Sequence, residues 1–224
     1  ANMRNYLIVT ASYWGFTLVD GALRMLVLFH FFKLGYSPFT LAFLFLLYEF
    51  AGILSNLSGG WLATRFGIPR MLAIGQLLQI AGLVMLSALD PHWTIAASVA
   101  WVVIAQGIVG VAKDLTKTAS KSAIKAVSSE DNGQLFRLVA WFTGSKNAMK
   151  GAGFFVGGLL LELVGFVTAL WLMAALIGAI WVCGIALLPR QLGKAKASKS
   201  VRELFGKSTD VNLLAAARIF LFGA

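Results

Sequence analysis

Acidic side chains are scarce in this chain. Nine Asp and Glu face nineteen Lys and Arg, giving a formal net charge of +10, and charged residues of both signs make up only 12% of the 224 residues. Soluble domains carry about 25% charged residues, so an ordinary cytosolic domain is excluded. The single cysteine, Cys183, rules out an intrachain disulfide, and with only His30 and His92 beside it no metal cluster is expected. No Walker loop, HExxH helix or GxSxG elbow occurs, so neither an ATPase nor a hydrolase site is predicted, and no cofactor. The basic residues are spread over several loops and helix interiors rather than gathered in one arm, which argues against a nucleic-acid partner.

What is abundant is apolar: 59% of the chain is hydrophobic and the mean hydropathy is +0.82. At about 20 residues per span, the chain has room for roughly six or seven membrane helices. The apolar runs predict spans at residues 6–32, 39–63, one after the turn at 70 ending near 89, 93–125, 135–163 and 166–188. Leu34-Gly35-Tyr36-Ser37-Pro38, Thr64-Arg65-Phe66-Gly67-Ile68-Pro69-Arg70 and Asp90-Pro91-His92 are the turns between them. The first run is too long for a signal peptide's apolar region and is expected to be retained. The fold class is therefore all-α and polytopic, with a six-helix bundle over residues 3–188, a basic linker at 189–210 and the start of a seventh helix at 211–224. Ala1 and Asn2 precede Met3, and the seventh run stops after about a dozen residues, so the chain reads as a truncated copy that does not transport by itself.

Loop charge sets the orientation. Arg4, Arg65, Arg70, Lys121, Lys125 and Arg137 fall on alternate connections, as do Arg190, Lys194, Lys196, Lys199, Arg202 and Lys207 of the linker, whereas the other connections hold only Lys33. The N-terminus and the linker are thus expected in the cytoplasm of a cell whose inner membrane holds the protein. Six spans, a basic cytoplasmic linker and a seventh span form the layout of a two-bundle transporter.

Charges also fall inside the apolar runs. A charge at mid-membrane costs about 2.5–3.5 kcal/mol on insertion scales and usually faces a bundle interior or a polar path. Asp20 and Arg24 are four apart with the acid first, the favourable order for an ion pair on one helix face, and are read either as a packing pair or as a substrate or coupling site. Glu49 interrupts the second run, and Asp114 lies between Lys113 and Lys117. Lys113, Lys117, Lys121 and Lys125 recur every four residues; the last two read as a solvated extension, the first two as a helix end or a cavity mouth. Lys146 and Lys150, with Asn147 between them, repel at this spacing, and a bound anion or a carboxylate such as Glu49 would relieve them. A cationic interior suggests the passage of an anion.

In the turn from Gly60 to Arg70, Gly60, Arg65, Gly67 and Arg70 resemble the conformational loop between helices two and three of the major facilitator superfamily, with Thr64 in place of the usual acid. An ordinary positive-inside turn is the other reading. Gly153 and Gly157 form a GxxxG pair suited to close helix packing, joined by Gly158. The same stretch resembles the superfamily's antiporter motif, with Phe154 replacing proline.

Several segments resemble one branch, the ArsJ-type organoarsenical exporters: Asn5-Tyr6-Leu7-Ile8-Val9-Thr10, Asp20-Gly21-Ala22-Leu23-Arg24, Leu47-Tyr48-Glu49-Phe50, Ala112-Lys113-Asp114-Leu115-Thr116-Lys117 and Gly144-Ser145-Lys146-Asn147-Ala148-Met149-Lys150. Ala217-Arg218-Ile219-Phe220 is similar to that branch's seventh helix and adds Arg218 to the candidate substrate-binding set of Arg24, Lys113, Lys117, Lys146, Asn147 and Lys150. The resemblance implies export of 1-arseno-3-phosphoglycerate, the ester made when glyceraldehyde-3-phosphate dehydrogenase uses arsenate. That dehydrogenase would be a functional partner, and arsenate resistance the outcome. A facilitator antiporter for another organic anion or drug is the alternative, and a non-transporting membrane protein a further one.

The orientation is open to a direct check. With Cys183 replaced by serine in the full-length protein, a cysteine introduced by Asp90→Cys should react with an impermeant thiol reagent from outside intact cells, and one introduced by Arg202→Cys should not. The reverse pattern would overturn the topology.

Overall fold

The computed structural model describes residues 2–127 and 132–188. These form seven helices: α1 (Asn2–Lys33), α2 (Pro38–Phe43), α3 (Leu46–Phe66), α4 (Ile68–Ser87), α5 (Ile95–Val127), α6 (Asn132–Val164) and α7 (Phe166–Leu187). The linker at 189–210 and the segment at 211–224, Arg218 included, lie outside the described residues. Among the described residues, five helices are long and apolar enough to cross a membrane (α1, α4, α5, α6 and α7), and Pro38–Leu54 is a shorter apolar stretch.

The difference from the six predicted spans lies in the second one, which is two helices. Ser37 caps α2, its Oγ accepting from the Thr40 amide at 3.3 Å. The Phe45 amide then donates to the Ala42 carbonyl, a three-residue step that tightens the backbone before α3 resumes. Both residues at the break, Leu44 and Phe45, are buried in the core. Tertiary packing of two large apolar side chains thus interrupts a run that hydropathy reads as continuous.

The long helices alternate in direction. Ala22 lies beside Gly157 and Tyr13 beside Phe142, so α1 and α6 run parallel. Gly75 meets Thr116 and Gly82 meets Val109, so α4 and α5 run antiparallel, and Arg4 reaches the Leu187 carbonyl at the far end of α7. One end of the bundle therefore carries Arg4, Arg65, Arg70, Lys121 and Arg137, and the other Lys33, Asp90 and Glu162. Gly67, at φ 81, lies in the left-handed region and starts α4 directly against Pro69, closing the α3–α4 turn without a longer loop.

The core runs through the middle of the bundle, with Leu23, Leu26, Leu83, Leu86, Leu170 and Ile177 almost fully buried. Phe155, Leu163, Trp171 and Val182 instead point outward, as expected for a surface solvated by lipid. Lipid tails are as apolar as leucine, so helix association here depends on close packing rather than on water exclusion. Glycines supply it. A Cβ on Gly153 would strike the Leu18 carbonyl, and one on Gly157 the Ala22 carbonyl, so α6 lies backbone against backbone on α1. Gly21 faces the Lys150 carbonyl in the same crossing, and Gly158 meets the Phe29 ring at ordinary contact distance. Gly110 gives α5 the same approach to Tyr48 of α3.

Gly157→Ala should accordingly destabilise the full-length protein by about 1–3 kcal/mol through overpacking. Gly184→Ala, where an added methyl meets nothing within 4 Å, should not. Thermal unfolding of both variants in the same detergent checks this, and equal midpoints would show that the crossing is not under this constraint.

Candidate functional site

Tyr13, Phe16, Thr17 and Asp20 recur at helical spacing and occupy one face of α1. Because α1 packs against both α5 and α6, that face meets Lys113 and Lys117 from one helix and Lys146 and Lys150 from the other. These eight residues line a single cavity of about 30 Å³. That volume accommodates about one or two water molecules. A much larger open groove, about 660 Å³, runs along α6 past Arg137, Ala140, Trp141, Gly144 and Ser145, away from the lysines.

Among the described residues, the one carboxylate lining the cavity is Asp20, which is buried and accepts a hydrogen bond from the Tyr48 hydroxyl at 2.8 Å. Arg24, expected to pair with Asp20, turns instead to α3, where its Nη1 lies 3.5 Å from Glu49 Oε1 and its guanidinium sits 4.9 Å from the Phe45 ring centre. This corrects two expectations together. Asp20 and Arg24 share a helix face, but each finds a closer partner on α3, and the ion pair that Glu49 forms is with Arg24, while it acts on Lys150 only at longer range. Both side chains of that pair are partly exposed.

The Lys113 ammonium lies 4.9 Å from the Tyr48 ring centre, a cation–π contact. No acid forms an ion pair with Lys113, Lys117, Lys146 or Lys150 among the described residues. The largest charge effects on Lys146 come from Lys117, Lys121, Lys113 and Lys150, whereas those on Lys150 include Asp20 and Glu49. Lys121, read from sequence as part of a solvated extension, is exposed yet lies within electrostatic reach of this group. The cavity thus has a strongly positive side toward Lys146 and a partly neutralised side toward Asp20.

The other candidates lie apart from it. Asn147 is exposed and does not line the cavity. Asp114 is buried on the α3 side of α5, facing Gly52, and its Oδ2 has no hydrogen-bond partner among the described residues. Arg65 and Arg70 are exposed at the α3–α4 turn with Gly67, and the Arg65 guanidinium lies over Trp61 and Phe66, while Gly60 is within α3. Lys33 pairs with Glu162 across the other end of the α1–α6 contact, a link that sequence distance conceals. Tyr13, Phe16, Thr17 and Tyr48 were not singled out as site residues. The spacing of the first three with Asp20 was the available signal; nothing local marks Tyr48.

A bundle of apolar helices that turns several cations and one acid toward a shared interior cavity defines a polytopic membrane protein with a charged internal site. Residues 6–224 match the Major Facilitator Superfamily, and the chain belongs to that family. The resemblance drawn from the 60–70 turn and the helix layout holds at this level. No curated protein matches the chain in sequence. Among solved structures, the fold is similar to a peptide transporter POT in complex with sulfate, with a TM-score of 0.71, 17% identity, and coverage of 97% of this chain and 45% of that one. It is also similar to a bacterial homologue of the human drug peptide transporters, with a TM-score of 0.68, 14% identity, and coverage of 100% and 50%. The chain therefore spans about half the length of the solved structures it matches.

Proposed function

We propose that the complete protein is a membrane transporter for a small organic anion, working by alternating access of two helical bundles. The observation that carries this reading is the convergence of Lys113, Lys117, Lys146 and Lys150 on one cavity whose lining, among the described residues, includes a single carboxylate, Asp20. Lysine binds phosphate-like groups as a point charge. An anion with two such groups would meet the side of the cavity at Lys146 with one and the Lys113–Lys117 side with the other.

Within that class, 1-arseno-3-phosphoglycerate is the substrate favoured by the segments that resemble the ArsJ-type exporters, since it carries a phosphate and an arsenate. Export from the cytoplasm across the inner membrane would confer arsenate resistance, with glyceraldehyde-3-phosphate dehydrogenase as the enzyme supplying the ester. Arg24 and Glu49 would then serve as a structural pair, Asp114 as a buried acid behind the site, and Gly60, Arg65, Gly67 and Arg70 as the conformational loop. Arg218 would add a cation from the second bundle.

In an arsenate-sensitive host, the full-length protein should confer resistance, and Lys146→Ala should abolish it without lowering the amount in the membrane. Lys33→Ala, at the opposite end of the α1–α6 contact, should leave resistance nearly unchanged. A well-expressed Lys146→Ala protein with full resistance would remove Lys146 from the site. A wild-type protein that confers no resistance but takes up another organic phosphate would retain the transporter and change its substrate.

A further inference from the structure

We infer that Tyr48 is a positioning residue for the anion site: its hydroxyl holds the Asp20 carboxylate so that the acid does not collapse onto the lysines and occupy the place of the substrate. The inference rests on the anion-transporter reading above and concerns how the site stays available. A carboxylate among ammonium groups at this depth should form direct ion pairs, because charges in a poorly solvated setting attract strongly. Here it does not. The cations acting on Asp20 are Lys113, Lys150 and Arg24, yet the hydrogen bond that Asp20 accepts comes from Tyr48 Oη, at 2.8 Å.

Tyr48 is placed to hold both sides of that separation. Its side chain is buried, and its backbone is pressed against Gly110 of α5, where a Cβ would come within 2.9 Å of the Tyr48 Cα. The hydroxyl faces α1 and takes Asp20. The ring faces Lys113 at 4.9 Å and Arg24 at 5.9 Å from its centre, giving each cation a neutral surface to rest on instead of a carboxylate. Arg24 is further occupied by Glu49. The result is a resting site in which the acid is hydrogen-bonded, the arginine is paired, and Lys113, Lys117, Lys146 and Lys150 line the cavity with no ion pair among the described residues.

The alternative arrangement is easily reached. Without the hydroxyl, Asp20 has lost its neutral donor, while Lys113 and Lys150 lie within electrostatic reach. An internal ion pair would form, and an incoming anion would have to break it. Tyr48→Phe should therefore weaken anion binding through Asp20, and removing the Asp20 charge should undo that loss. A role for Tyr48 in packing alone would not give this rescue.

The test uses the purified full-length protein in lipid nanodiscs, with stable 3-phosphoglycerate as the probe and calorimetry as the readout. Tyr48→Phe should weaken binding about tenfold, the scale of one hydrogen bond to a charged group. The Tyr48→Phe/Asp20→Asn double variant should return to within about threefold of wild type, well inside the tenfold that one such bond commands. Asp20→Asn alone should bind at least as tightly as wild type; it reports independently should Tyr48→Phe fail to fold, and markedly weaker binding by this single variant overturns the inference. So does unchanged binding by Tyr48→Phe, or a double variant as weak as Tyr48→Phe. If the wild-type protein does not bind 3-phosphoglycerate, the reading of this cavity as a site for a phosphorylated three-carbon acid falls, and the inference with it; if Lys146→Ala weakens binding but Tyr48→Phe does not, only the role of Tyr48 falls.

Discussion

A charge held among apolar helices has to be answered by another polar group, and the arrangement of this bundle follows from how few answers are available. Among the described residues, four lysines line the cavity with one carboxylate. The remaining acids nearby are already engaged or turned away: Glu49 meets Arg24, and Asp114 faces Gly52 behind the site. An excess of cations in a weakly solvated interior raises the free energy of the empty site. On the proposed reading, a bound anion would lower this free energy by neutralising part of that excess.

Helix packing determines which charges meet. Lys146 and Lys150 are on the same helix as Gly153 and Gly157, one to three turns from the points where α6 touches the α1 backbone at Leu18 and Ala22. Asp20 lies between those two α1 positions. The close crossing thus fixes the distance from the α6 lysines to the Asp20 carboxylate in the cavity. On the other side, Gly110 brings α5 against Tyr48, and Lys113 follows less than one turn later to rest on the Tyr48 ring. Glycine and charge are therefore linked in this fold: the small residue allows the approach, and the approach brings the charged partners together.

Much of this was legible in the sequence, and the illegible part has a common cause. Helix positions followed from the apolar runs and their turns, since burial in lipid demands long uninterrupted stretches. The α1–α6 contact was foreshadowed by Gly153 and Gly157, and the lysine pairs by their four-residue spacing. Pairing between helices was not accessible. Asp20 and Arg24 satisfy the local rule for an ion pair, yet α3 offers Tyr48 to one and Glu49 to the other, and a rule about one helix cannot see its neighbour. The break between α2 and α3 escaped for the same reason, because Leu44 and Phe45 are apolar and only the core they enter explains the tightened backbone.

The size of the cavity adds a final constraint. A space of about 30 Å³ admits water but not a phosphorylated three-carbon acid. Ligand binding can shift a conformational equilibrium only to the extent that the ligand favours one state over the other. An anion that neutralises several lysines would supply such a difference, but it can do so only where the helices have moved apart enough to receive it. On the proposed reading, repulsion among Lys113, Lys117, Lys146 and Lys150 would act in the direction of that opening, and neutralisation by the anion would remove it. The same cations would then bias the empty site toward opening and the filled site toward closing, which couples occupancy to conformation without a separate trigger.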